Sequence, residues 1–244
     1  MKVYLNKITG IDDALVSLII STGNWTREKE QEIRTICSRV LDSNGKLRKD
    51  DSDVKFSADL ATYNQKMETL LKWGKQHITL LRFIDFDVTV DGLHRAGQDD
   101  WDAHAKRYDN RILRLSTRIK AMDTKLSDFY IDKVIPTDEA LDILNIEVPE
   151  SFDYNGKKFI KCQNGYVDEQ YQKSPDVLRG LYMLGLSSTF VFKVNLTEWG
   201  HVYKQRNEYG HANPEVKQLC EEICNQLHDY QPLFTRELFN EILN

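Results

Sequence analysis

The sequence predicts an α/β (α+β) protein, an antiparallel or mixed sheet flanked by helices, and three observations predict it. The first is strict alternation along Phe83-Ile-Asp-Phe-Asp-Val-Thr-Val-Asp91. There Ile84, Phe86, Val88 and Val90 share one face, while Asp85, Asp87, Thr89 and Asp91 fall on the other. The second is a series of longer segments with helical spacing and recognisable helix starts. The third is an ordinary globular composition, 244 residues with 41% hydrophobic and 29% charged, enough to bury a substantial core in one domain over 1–244.

Taken in order, a short strand at Val3–Leu5 leads into a helix at Asp12–Ile20, ended by Ser21-Thr22-Gly23-Asn24. Thr26 is placed to cap a helix running to Leu41, because its hydroxyl can accept from a first-turn amide. Ser43 to Asp53 is polar and reads as an exposed loop, and Ala58–Trp73 is the next helix. After the strand at Phe83–Asp91, Gly92 opens a helix from Leu93 to Tyr108. Arg111–Arg118 is basic and irregular, and Ile119–Tyr130 and Asp138–Leu144 are helical. Between Phe152 and Val167 lie Asn155-Gly156 and Asn164-Gly165, dipeptides suited to tight turns, which predicts a hairpin excursion at 152–167. A helix at Asp176–Leu184, a strand at Thr189–Val194 and helices at Thr197–Arg206, Pro214–Leu227 and Thr235–Leu243 complete the chain.

A net charge of −5 argues against a general nucleic-acid coat or a membrane-surface protein, so any anionic ligand needs a local basic pocket. No apolar run approaches the roughly 18–20 residues of a bilayer span. The N-terminus Met-Lys-Val-Tyr-Leu-Asn-Lys lacks the apolar stretch of a signal peptide, so a cytoplasmic protein is expected. Cys220 and Cys224 stand one helical turn apart with no partner pair at zinc spacing, which reads as two core-facing thiols and no metal site.

Phosphate-loop, dinucleotide-fold, zincin and nucleophile-elbow signatures are absent. One segment stands out: Lys106, Arg107, Arg111, Arg114 and Arg118 crowd together with Ser116 and Thr117. Guanidinium forks and hydroxyls suit phosphate recognition, although the segment taken alone reads more readily as a solvated basic face.

Three separated blocks together resemble the flavin-dependent thymidylate synthase family. The most specific is Asp176-Val-Leu-Arg-Gly-Leu-Tyr-Met-Leu-Gly185, then Thr189-Phe-Val-Phe-Lys-Val-Asn195, then Glu198-Trp-Gly-His-Val-Tyr-Lys-Gln-Arg206. Arg179, Asn195 and Arg206 match the family's order and spacing, with eleven positions from Asn195 to Arg206. The second block, Gly74-Lys-Gln-His-Ile-Thr79, is similar to the segment that places a His and a hydroxyl at the flavin; His77 and Thr79 are the matching positions. The third is a degenerate Arg-His-Arg signature. His104 is kept between Ala103 and Ala105, and a longer loop carrying Arg107 and Arg111 leads to Ser116-Thr-Arg118. His211 in Gly210-His-Ala-Asn-Pro stands where the family often has a flavin-contacting His, or else caps the following helix. Thr197 stands where the family commonly has an Arg beside the flavin.

The resemblance implies a divergent member of that family and a deoxyuridylate site. Ser116, Arg118, Arg179 and Arg206, with Arg107 and Arg111, would bind the pyrimidine nucleotide, and Arg206 would stabilise charge on the ring as the catalytic residue. His77, Thr79, His104, Asn195 and His211 would contact FAD. NADPH and methylenetetrahydrofolate are implied as co-substrates, and a homotetramer as the assembly. Two other functions stay open: another C5 modification such as hydroxymethylation, favoured by Ala103 and Ala105, and non-catalytic sequestering of a nucleotide.

Overall fold

A computed structural model of the chain describes residues 1–49, 53–95, 97–98, 101, 111–114, 150–154, 157–162, 165–173, 187–208 and 213–242. The helices expected at 119–130, 138–144 and 176–184 lie outside these residues. In chain order the strands are β1 (Lys2–Thr9), β2 (Asp85–His94), β3 (Arg111–Arg114), β4 (Ser151–Tyr154), β5 (Lys157–Cys162), β6 (Gly165–Asp168) and β7 (Ser187–Asn195). The helices are α1 (Ile11–Ser21), α2 (Arg27–Val40), α3 (Val54–Gly74), α4 (Leu196–Tyr203), α5 (Pro214–Tyr230) and α6 (Arg236–Glu241). The chain groups into two compact units: Lys2–Val90, Asp100–Ile112 and Val191–Asn244 form one, and Met1, Asp91–Asp99 and Leu113–Phe190 form the other.

Strands β1-β2-β7-β3 lie side by side in one sheet. The alternation in β2 does what it predicts: Ile84, Phe86, Val88 and Val90 are buried. On the other face Asp85 pairs with Lys193 of β7 at 3.1 Å. The helix expected from Leu93 does not begin there. Gly92 has φ +86, a conformation glycine adopts without a steric penalty, and β2 continues through it to buried Leu93 and His94. Helical conformation starts at Arg95, and Gln98 Nε2 donates back to the Leu93 carbonyl at 2.8 Å and to Ser188 Oγ at 2.7 Å. Arg111–Arg114, expected to be irregular, is instead the edge strand β3. Four residues are too short for an alternating pattern to show, and pairing with β7 decides the conformation.

The 152–167 excursion is a three-stranded antiparallel meander, β4-β5-β6. Its registers pair Ser151 with Ile160, Tyr154 with Lys157, Phe159 with Asp168 and Cys162 with Gly165. Asn155-Gly156 and Gln163-Asn164 are the residues between the strands.

The helices start where side chains can take up first-turn amides. Thr26 Oγ1 accepts from the Lys29 amide at 3.3 Å, and Thr235 Oγ1 from the Leu238 amide at 3.2 Å. Asp53 caps α3 through the Lys55 amide at 2.8 Å, which begins that helix four residues before its apolar spacing does. Asn213 caps α5, with Pro214 in the first turn. Ile33, Ile36, Cys37 and Val40 of α2, and Leu219, Cys220, Ile223, Cys224 and Leu227 of α5, are buried. Trp199 of α4 is the centre of an aromatic cluster: its ring lies 5.7 Å from Phe86, 6.1 Å from Trp101, 6.0 Å from Tyr203 and 6.1 Å from Phe239. Among the described residues, no helix is long and apolar enough to cross a membrane.

The chain's end is tied to its beginning. Tyr63 Oη donates to Gln231 Oε1 at 2.8 Å, and Gln231 Nε2 donates to the Gly45 carbonyl at 2.8 Å, all buried or nearly so. Gln226 of α5 accepts from the Leu5 amide at 2.6 Å and donates to the Val3 carbonyl at 2.8 Å. Tyr230 Oη donates to the Leu5 carbonyl at 2.9 Å.

Candidate active site

The described candidates sit on two stretches of chain that are fastened together. At the end of α3, Gln76 and His77 both donate their amides to the Trp73 carbonyl, at 3.0 and 2.8 Å, and the chain enters a 3₁₀ turn at Ile78–Phe83. Leu80 and Leu81 anchor that turn in the core, leaving His77 and Thr79 exposed. The His77 ring lies almost flat on the Trp73 indole, with centroids 5.7 Å apart and planes 17° apart.

The second stretch begins at Asn195, where β7 becomes α4. Its Oδ1 accepts from the Glu198 amide at 2.8 Å, capping the helix, and Asn195 and Glu198 are both buried. The Asn195 amide nitrogen makes no hydrogen bond among the described residues, which leaves two N–H donors on a fixed side chain. Two bonds tie this helix start to the 3₁₀ turn. The Leu196 amide donates to the Ile84 carbonyl at 2.8 Å, and Thr197 Oγ1 donates to the Ile78 carbonyl at 3.0 Å. His77, Thr79 and Asn195 are therefore held on two segments fastened to each other, and the Thr197 hydroxyl is one of the latches.

Arg206 belongs to the same helical run but not to its α-helix. α4 ends at Tyr203, three residues short of the expected Arg206, and Lys204–Glu208 forms a π-helical turn. Such turns fit an extra residue into a helix and recur at functional sites. Arg206 is only 3% exposed, so its guanidinium faces the protein interior. Arg111 has its backbone in β3. Ser116, Arg118, Arg179, Arg107, His104 and His211 lie outside the described residues.

Burial pushes the Cys37 thiol up to about 12 and raises that of Cys224 as well, so both are neutral thiols at physiological pH. Among the described residues no group of His, Cys, Asp or Glu could hold a metal ion. Trp73 escaped the sequence reading, although its position one helical turn before His77 is the spacing at which side chains meet.

The family model for thymidylate synthase complementing protein matches residues 23–233. The chain belongs to the flavin-dependent thymidylate synthase family. No curated protein sequence matches significantly. Among solved structures, thymidylate synthase X from Helicobacter pylori, crystallised with FAD and dUMP, is similar at 12% identity with a TM-score of 0.58, covering 98% of this chain and 100% of that one. A second structure of the Helicobacter pylori enzyme with the same two ligands gives 13% identity, a TM-score of 0.57 and complete coverage of both chains. A UMP/dUMP methylase from Streptomyces cacaoi bound with 5-bromo-dUMP gives 12% identity and a TM-score of 0.54, covering 98% and 94%. At these identities the structural likeness shows a shared fold, and the family match stands on the sequence.

Proposed function

We propose that the chain is a flavin-dependent enzyme modifying C5 of a pyrimidine nucleotide, and that its reaction is methylation of deoxyuridylate to thymidylate. One observation beyond family membership carries this: Asn195, His77 and Thr79, three positions matching flavin-contacting residues, are fastened together by the Leu196–Ile84 and Thr197–Ile78 hydrogen bonds. The donor set fits a flavin. Asn195 offers amide protons from a fixed side chain, and His77 and Thr79 offer exposed polar groups beside a flat aromatic surface. When bound, the flavin supplies hydride transfer to the pyrimidine ring, with methylenetetrahydrofolate as carbon donor and NADPH as reductant.

The protein's own part is positioning and charge stabilisation. Arg206, with Ser116, Arg118 and Arg179, grips the nucleotide, and Arg107 and Arg111 stand in for the missing flanking arginines. His104 and His211 complete the flavin contacts. Neutral, buried Cys37 and Cys224 agree with a reaction that needs no cysteine nucleophile. A single catalytic domain, assembled as a homotetramer in the cytoplasm, completes the proposal. The Streptomyces protein of this fold is a methylase of UMP as well as dUMP, so the ribonucleotide belongs in the substrate panel.

The test is product analysis with FAD, NADPH, methylenetetrahydrofolate and either dUMP or UMP, alongside calorimetry of nucleotide binding. A charge-assisted bond contributes about 1.5–3 kcal/mol, so Arg206→Ala should raise the dUMP dissociation constant roughly tenfold to a hundredfold. Unchanged affinity removes Arg206 from the site. A 5-hydroxymethyl product changes the reaction assignment, and binding without turnover leaves a nucleotide-sequestering protein.

A further inference from the structure

We propose that Trp73 is a positioning residue for the flavin site, holding the His77 imidazole in the orientation that meets the cofactor; this rests on the functional reading above. The backbone around His77 is already fixed. Its amide donates to the Trp73 carbonyl at 2.8 Å, and its own carbonyl accepts from Leu80 at 3.0 Å. What an exposed His at such a junction lacks is a fixed side chain, since a solvated imidazole samples several rotamers. Trp73 supplies the restraint. Its indole lies in an offset stack against the imidazole, with centroids 5.7 Å apart and planes 17° apart, and His77 stays exposed.

Trp73 is 44% exposed and Trp25 47%, whereas Trp101 and Trp199 are buried. The indole stands at the end of α3 and braces a candidate cofactor-binding His at the start of the turn that is latched to the helix Asn195 caps. Phe83, 47% exposed, ends the same turn. The chemical class that an oriented imidazole of this kind would meet is a flat, polar-edged heteroaromatic system, as in a flavin ring.

The test is a double-mutant cycle on FAD affinity, read by quenching of flavin fluorescence in the full chain, using Trp73→Leu, Trp73→Phe, His77→Ala and the Trp73→Leu/His77→Ala double variant. Trp73→Leu should weaken FAD binding about threefold to tenfold, the worth of one aromatic stack, while leaving dUMP affinity unchanged. Trp73→Phe should stay within about threefold of wild type. The double variant should bind no more weakly than His77→Ala, because the indole acts through the imidazole. In NMR spectra without flavin, the His77 ring protons should lose their indole ring-current shift in Trp73→Leu. Wild-type FAD affinity in Trp73→Leu, or losses that simply add in the double variant, overturns the inference while the site reading survives. Absence of FAD binding to the wild-type chain removes both.

Discussion

Arg206 is a charged side chain that the fold keeps almost entirely from water, and such a group persists only with compensating partners. Truncating it therefore has two effects. Besides the loss of nucleotide affinity, Arg206→Ala should lower stability by about 1–3 kcal/mol, seen as a reduced melting temperature of a still folded protein. Cys37 acts through pH. Its thiol ordinarily titrates at 9.0 and burial pushes it up to about 12, so between those values the folded chain holds a proton that the unfolded chain has released. Stability from this group is intact below pH 9.0 and is lost as pH rises towards 12. In denaturant titrations across that window, Cys37→Ala should remove about 1.4 kcal/mol per pH unit from the alkaline slope. An unchanged slope would show that the thiol is not the group responsible.

At the scale of elements, Gly10 joins β1 to α1 with φ +78, and a Cβ there would run into the Phe83 carbonyl oxygen. Gly10→Ala combines left-handed strain with that clash. It should cost more than about 1 kcal/mol in thermal unfolding, and it should weaken FAD binding because Phe83 ends the turn that bears Thr79. The helix starts near Thr26, Pro214 and Thr235 were legible in the sequence because capping is local chemistry, whereas the Asp53 cap of α3 was not read. The strand at β2 was legible because its alternation runs through Val90. What could not be read were features decided at a distance, such as β3 as an edge strand and the run of β2 through Gly92. The candidate site divides the same way. Its residue types and spacing are in the sequence, but the Thr197 latch to Ile78 and the π turn at Arg206 depend on packing between segments far apart in the chain.

For the whole molecule, Gln231 does the most with one side chain. It joins α3 through Tyr63 and the 41–48 loop through Gly45, across sequence separations of 168 and 186 residues. Gln231→Leu leaves the Tyr63 hydroxyl and the Gly45 carbonyl buried without those partners, at about 1–3 kcal/mol each, so a clear fall in the denaturant midpoint is expected. An unchanged midpoint would mean that water takes over both bonds. The pairs that Gln226 and Tyr230 make with Val3 and Leu5 have a different kind of consequence. They occupy the free margin of the outermost strand, where a foreign β-segment would otherwise dock and propagate into polymer. Gln226→Leu should unmask that margin, giving a chain that still folds yet scatters light on gentle warming, whereas the wild type stays clear.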